Sequence, residues 1–321
     1  MGQTNLEGLG AVQETLIIPL AMRALDLKSK RPILGDKRAA ELYEEITYNQ
    51  QKFSPKKSPS YYGCLKRASY MDEELTRHAQ ELQALGKPFV TVNAGCGLDT
   101  RGERIAGATY GAVHYDVDFP NVIELRQRLL GERATAIGSD LLEEGWLQWI
   151  ASEITAETHV LITIEGVFAY LTLEQIQLLL EHISQYFAGR CVVIFDALSS
   201  FWARRSKMHD TLKNMEATFV GGIDSEEDIR RLLPSAQFER KTSVVDLMAE
   251  VWWVAHLMQL TRKMREKLTC STPQPASPPP PPAPPPPPPP PPRAPGGTGG
   301  GDAFCIGYPF PFGEGLPSSL A

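Results

Sequence analysis

From residue 89 onward the chain repeats one unit: a short apolar run, a turn carrying glycine or acid, then a helical stretch. That alternation constrains the fold more than any other feature of the sequence. Runs at 89–93, 112–116, 133–138, 160–164 and 191–195 predict strands. Their apolar residues are continuous rather than alternating, the pattern of strands buried on both faces. A helix is predicted from Pro120 to Gly131. Another is predicted from Thr172 to Gly189, with Thr172 and Gln175 as a capping-box pair. Leu173, Ile176, Leu180, Ile183 and Phe187 make the buried face of that second helix. Strands separated by helices join through right-handed crossovers, so the expected class is α/β, a parallel sheet covered on both sides. A helix at 226–233, a strand at 238–243 and a helix at 246–268 follow.

The first 86 residues read as helices instead. Val12, Leu16, Leu20, Ala24 and Leu27 give one apolar stripe, and a second helix is expected at 39–46. A loop at 53–59 leads to a long helix at 61–85, stopped by Gly86 and Pro88. At the other end, 17 of the chain's 27 prolines fall between Pro273 and Pro295. Such a run cannot build a packed core. The net charge of −6 gives no reason to expect nucleic acid or an acidic membrane surface as partner. No apolar run reaches the ~18 residues that would span a bilayer. The five cysteines, with no C-x-x-C spacing, predict no metal site. Their odd number and the lack of a signal peptide predict a reducing, cytoplasmic setting.

In a parallel sheet the ligand sits beyond the carboxyl ends of the strands, so the residues after each strand carry the chemistry. Strand one is followed by Gly95 and Gly97, strand two by Asp116 and Asp118, strand three by Asp140 and Leu141, strand four by Glu165 and strand five by Asp196. Two glycines let the backbone turn sharply against a ligand, and a carboxylate about 20 residues on can take a ribose. A dinucleotide site needs a third glycine where Thr100 stands, and this many carboxylates would repel a pyrophosphate. They suit ribose hydroxyls, an exocyclic amine, an ammonium and a sulfonium, the groups of S-adenosylmethionine.

The same residues resemble the leucine carboxyl methyltransferase family, including its bacterial polyketide-synthesis O-methyltransferases, over about 14–233. The resemblance is carried by Glu14-Thr15-Leu16, Arg23-Ala24, Gly35-Asp36 with Ala39-Ala40, and the loop Gly95-Cys96-Gly97-Leu98-Asp99-Thr100-Arg101. Asp116-Val117-Asp118-Phe119-Pro120, the run from Glu165 to Leu171, and Phe195-Asp196-Ala197 complete it. It implies a Rossmann-like class I methyltransferase sheet of seven strands, mostly parallel with an antiparallel last strand, flanked by helices and an N-terminal helical cap. It implies S-adenosylmethionine as cofactor. Gly95 and Gly97 would line its methionine part, Asp118 hold the ribose, and Asp140 and Leu141 meet the adenine. Glu165 would sit near the ammonium, and Arg67 would clamp the carboxylate with Arg23 assisting. Cys96 departs from the family, which usually has a small residue such as Ala there. Asp116 departs too, where relatives often carry Glu.

Each assignment has a structural competitor. Asp118 could cap the helix at Pro120, Glu165 could favour a helix N-terminus, and Arg67 could be a solvated helix charge. Arg101 is expected to pair with Asp99, Cys96 to be a small buried residue, and Trp252 and Trp253 to be core or lid. A carboxylate acceptor needs no base; a hydroxyl does. His209 and Tyr170 are the candidates for catalysis or acceptor contact. The expected function is O-methylation of a carboxylate or hydroxyl on a small, polyketide-like acceptor. The alternatives are methylation of a protein C-terminal carboxylate, a nicotinamide-dependent oxidoreductase, and an idle fold whose polyproline run binds an SH3- or WW-type partner. The run is otherwise a spacer.

The family sheet needs a last strand, and Phe304, Ile306 and Tyr308 alternate as in one. The expected organisation is therefore a helical segment 1–86 packed on a core 87–270, and a Pro/Gly-rich excursion 271–301. A last strand at 302–308, antiparallel beside strand five, and a tail at 309–321 complete it.

Overall fold

The computed structural model describes residues 4–5, 13–48, 54–131, 135–204, 216–257, 259 and 302–307. The N-terminal part holds the strand pair β1 (Thr4–Asn5) and β2 (Ile46–Thr47), and helices α1 (Ile17–Leu27), α2 (Lys37–Glu45) and α3 (Pro59–Ala84). A 3-10 turn at Gln13–Leu16 precedes α1. Local chemistry sets the helix starts: the Asp36 side chain accepts from the Ala39 amide, and the Ser58 side chain accepts from Tyr61, with Pro59 in the first turn. The buried Asp26 carboxylate takes the amides of Ile33, Leu34 and Gly35 and the Tyr61 hydroxyl, tying the α1–α2 turn to α3.

The sheet domain runs β3 (Phe89–Ala94), α4 (Arg101–Ile105), β4 (His114–Asp118), α5 (Pro120–Leu130), β5 (Thr135–Gly138), α6 (Gly145–Glu153) and β6 (His159–Ile164). It continues with α7 (Leu173–Phe187), β7 (Cys191–Ala197), α8 (Ser200–Ala203), α9 (Glu226–Leu232), β8 (Gln237–Ser243), α10 (Val244–Ala249) and β9 (Asp302–Gly307). The seven strands order β5-β4-β3-β6-β7-β9-β8. All pairings from β5 to β7 are parallel, and β9 is antiparallel to both its neighbours. This is the expected sheet, with the expected antiparallel last strand inserted beside β7. The strand order reverses between β3 and β6, which puts the crevice for a ligand over the ends of those two strands.

Helix α3 covers one face of the sheet through Met71, Leu75, Ala79 and Leu82, a stripe at helical spacing packed on Leu161, Val192 and Ile194. Helices α6, α7 and α9 cover the other through Trp146, Ile150, Leu180 and Ile229. Helices α1 and α2 pack on Leu125 and Leu129 of α5, which brings the N-terminal helices over the strand ends.

Several predicted boundaries move. Strand β4 starts two residues later than read, because the exposed Val113 lies in the short link that follows a turn with Tyr110 and Gly111 at positive φ. Asp118 is thus the last strand residue. The capping box at Thr172 is present, but Leu173 lies on the exposed first turn and Leu179 takes its place in the core. The helix read at 246–268 is interrupted: α10 runs Val244–Ala249, a turn follows, and residues 253–257 and 259 are helical again; residue 258 and those beyond 259 lie outside the described residues. Helices α4, α6 and α8 were not read from the sequence.

Candidate active site

After β3 the chain turns through Gly95 at φ 74° and Gly97 at φ 48°, the left-handed region that side chains disfavour. Space forbids a side chain as well. A Cβ on Gly95 would lie 2.3 Å from Val167 Cγ2, and one on Gly97 2.6 Å from Leu16 Cδ2. The Gly95 and Cys96 amides donate to the Val117 carbonyl at 2.8 and 3.1 Å. Asp118 accepts from the Gly97 amide at 2.7 Å with Oδ2 and from the Phe119 amide at 2.8 Å with Oδ1. Helix α5 has no side-chain N-cap, so Asp118 is a brace for the glycine loop rather than a helix cap. Burial pushes its carboxyl pKa up against those two amide bonds. Cys96 is buried, and burial pushes its thiol up too, as expected of a small inert residue. Asp140 accepts from the Leu142 amide through Oδ1, and the Leu141 carbonyl accepts from the Trp146 indole.

Over β6 and β7 stands a wall of buried ion pairs. Glu165 accepts from Arg67 at 2.9 Å and from Arg101 at 2.5 Å, with Arg23 at 3.6 Å. Burial alone would raise its pKa; Arg67, Arg101 and Arg23 outweigh that and hold it at about 2. Asp196 accepts from Arg67 at 2.9 Å and from the Gly166 amide at 2.5 Å, with burial pushing its carboxyl up. Arg23, from α1, donates to Asp99 at 2.5 Å. Arg101 is held by Asp72 at 2.6 Å and by Glu165, with Asp99 at 3.3 Å. The expected Arg101–Asp99 pair is therefore present but secondary, because α3 brings Asp72 closer. Arg104 extends the network to Asp72, Asp99 and Asp36. Asn93 lends Oδ1 to Arg101 and Thr163, while its Nδ2 is buried with no partner among the described residues.

The glycine loop and the inner members of this wall border a cavity of about 810 Å³. Arg23, Arg67, Gly95, Gly97, Asp118, Asp140, Leu141, Glu165 and Asp196 all reach it, so the fold brings every expected cofactor residue to one place. Asp116 does not: it faces Arg126 of α5 at 2.5 Å, outside the cavity, and is removed from the acidic set read at the strand ends. The rest of the lining is largely apolar and comes from α1, α3, α10 and the segments after β6 and β7, including Ile18, Pro19, Leu198, Phe219, Val244 and Met248. Tyr170 belongs to this part; its hydroxyl donates to Thr15 at 3.4 Å and its ring meets Phe219 at 5.6 Å. Burial pushes up both Tyr170 and the neighbouring Cys64. No histidine is among the described residues of the lining, and His209 lies outside the described residues. Trp252 stacks on Tyr62 at 5.1 Å, while Trp253 is 71% exposed; neither lines the cavity, so the expectation of core or lid holds only for packing by Trp252.

Asp72, Arg104 and Arg126 escaped the sequence reading, since nothing in their local pattern separates a buried arginine or aspartate from a surface one.

The family model described as leucine carboxyl methyltransferase matches residues 17–184. The chain is 30% identical over 248 residues to the tetracenomycin polyketide synthesis O-methyltransferase TcmP of Streptomyces glaucescens, covering 77% of this chain and 87% of that protein. It is 26% identical over 261 residues to the S-adenosyl-L-methionine-dependent methyltransferase dpfgK of Gibberella zeae, covering 76% of this chain and 85% of that one.

Proposed function

The chain belongs to the leucine carboxyl methyltransferase family and is an S-adenosylmethionine-dependent methyltransferase; we propose that its acceptor oxygen is a carboxylate on a small, apolar molecule. One observation carries that reading: among the described residues the lining holds no histidine, and of its carboxylates only Asp140, which we assign to the adenine amine, keeps an oxygen without a partner. Glu165 and Asp196 have their oxygens committed to arginines and the Gly166 amide. Both Asp118 oxygens hold amides, and Tyr170 and Cys64 are kept protonated by burial. An alcohol would need a base there, whereas a carboxylate arrives ionised and needs only alignment and a dry site. The apolar walls supply the dryness. They also suit a hydrophobic small molecule better than a peptide end, whose backbone amides would enter without partners. The likeness to an O-methyltransferase of polyketide synthesis supports the same choice.

The residues fit the donor. Gly95 and Gly97 leave a cradle without side chains, and Asn93 Nδ2 is a buried N–H donor lacking an acceptor. Asp118 and Asp140 would take the ribose and the adenine amine, and Leu141 would meet the base. The wall of Arg67, Glu165, Arg23 and Asp196 alternates in charge, which suits a zwitterionic amino-acid group. Arg67 uses three of its five N–H donors on Glu165 and Asp196, leaving two for a carboxylate. When bound, the cofactor supplies a methyl group on a sulfonium, a good electrophile. The chain's own part is to fix the two reactants in line and keep water out.

The test is transfer of labelled methyl from S-adenosylmethionine into a cell extract separated by size. Alkali-labile label in the small-molecule fraction is expected, because carboxyl esters hydrolyse in base. Alkali-stable label refutes the carboxylate, and label in protein refutes the small acceptor.

A further inference from the structure

Gly97 is gripped at both ends by the unit β4–α5. Its amide donates to Asp118 Oδ2, and its carbonyl accepts from Arg126 Nη1 at 2.8 Å. The same nitrogen donates to the Asp99 carbonyl at 2.7 Å, and Nη2 is anchored on Asp116 Oδ2 at 2.5 Å. Arg126 is 6% exposed and does not line the cavity, whereas Gly97, Leu98 and Asp99 do. The guanidinium therefore stands behind the loop. In a trans peptide the C=O and the following N–H point in opposite directions. Drawing the Gly97 carbonyl back to Arg126 thus turns the Leu98 amide forward. Among the described residues the Leu98 amide has no acceptor within the protein.

We propose that Arg126 is a positioning residue for the methyl donor: anchored on Asp116, it holds the carbonyls of Gly97 and Asp99 away from the cavity and keeps the Leu98 amide presented to it. This rests on the reading that the donor lies over the glycine loop. Removing the guanidinium frees two buried carbonyls to seek other donors, and the loop gives up its ligand-ready shape. The lost interaction shows in donor binding rather than in chemistry at saturation.

Calorimetric titration of S-adenosylmethionine and S-adenosylhomocysteine into wild type, Arg126→Met, Arg126→Lys and Asp116→Asn tests it. The wild type binds both. Arg126→Met is expected to weaken both by about tenfold or more, a step of about 1.4 kcal/mol per tenfold. Arg126→Lys recovers part of the loss, and Asp116→Asn, nearly isosteric, loses less than Arg126→Met. The value of kcat at saturating donor stays within about twofold, as expected for lost binding common to ground and transition states. Amide exchange in the ligand-free Asp116→Asn protein accelerates at 95–99 and nowhere else in the sheet. Unchanged affinity in folded Arg126→Lys and Asp116→Asn overturns the proposal while leaving the donor site standing. Failure of the wild type to bind either ligand overturns both.

Discussion

A chain stopped after Cys270 should not fold cooperatively. Strand β9 lies between β7 and β8 and shares six register pairs with each. Its six residues engage both backbone groups, so removing it breaks on the order of ten backbone hydrogen bonds, each worth roughly 1 kcal/mol net. The total, about 10 kcal/mol, equals the whole stability of an ordinary domain. The loss is compounded because β7 becomes an edge, baring Val192, Val193, Ile194 and Phe195, all at most 3% exposed in the intact protein. Strand β8 loses its strand partner altogether. The companion variant deletes 279–292 and keeps 302–321. By chain-closure entropy alone, shortening the connection between residues 259 and 302 by a third changes stability by only a few tenths of a kcal/mol. Urea unfolding followed by circular dichroism should give no cooperative transition for the truncated chain and a near-normal one for the deletion. A truncated chain with wild-type midpoint and intact donor affinity would refute the reasoning.

Gly97→Ala forces a left-handed residue, costing roughly 1–2 kcal/mol, and sets its Cβ against Leu16. Donor affinity by calorimetry should fall sharply while the protein still melts cooperatively. The Glu165 carboxyl is held at about 2 in the folded protein, below its ordinary value, so its stabilisation is full above about pH 4.5 and is lost as pH falls toward 2. The unfolding midpoint of wild type should therefore drop more steeply over that window than that of Glu165→Gln; parallel curves would remove Glu165 from the ion-pair wall. His209→Ala should retain activity on an acid acceptor, with kcat/KM level from pH 6 to 8. A loss in the general-base range, about 100-fold or more, would mean that a proton is being removed and the acceptor is not a carboxylate.

The sheet was legible because its signals are local. Continuous apolar runs mark β3, β6 and β7, the Thr172 box marks the start of α7, and the residues just past each run are those the topology gathers at one end. Even β9 could be read, from the alternation of Phe304 and Ile306. Strand edges were less legible: Val113 is as apolar as Val117, yet it is exposed just past a turn, and periodicity cannot distinguish the two. Least legible was the role of arginine. Arg23, Arg101 and Arg126 are at most 6% exposed, although arginine is ordinarily a surface residue. Their partners lie far away in sequence, as with Arg101 and Glu165, which are 64 residues apart, and only the packed fold shows that each charge is matched.

On the proposed reading, that matching explains how the cavity can be rich in carboxylates yet suit a donor that is itself zwitterionic. A bare buried carboxylate would be neutralised by its own desolvation, and a bare arginine would be too costly to bury. In the wall above β6 and β7 each is buried only in company: Glu165 among three arginines, Asp196 with Arg67, Asp99 with Arg23 and Arg104. The arginines come from α1, α3 and α4, while Glu165 and Asp196 stand at the ends of sheet strands, so the polar wall can form only when the N-terminal helices are docked. The apolar part of the lining uses those same helices, α1 and α3, joined by α10. The docked helical cap thus supplies arginines of the charge wall and one side of the apolar lining. On the proposed reading, it is the apolar part of that lining that keeps water from an unassisted carboxylate.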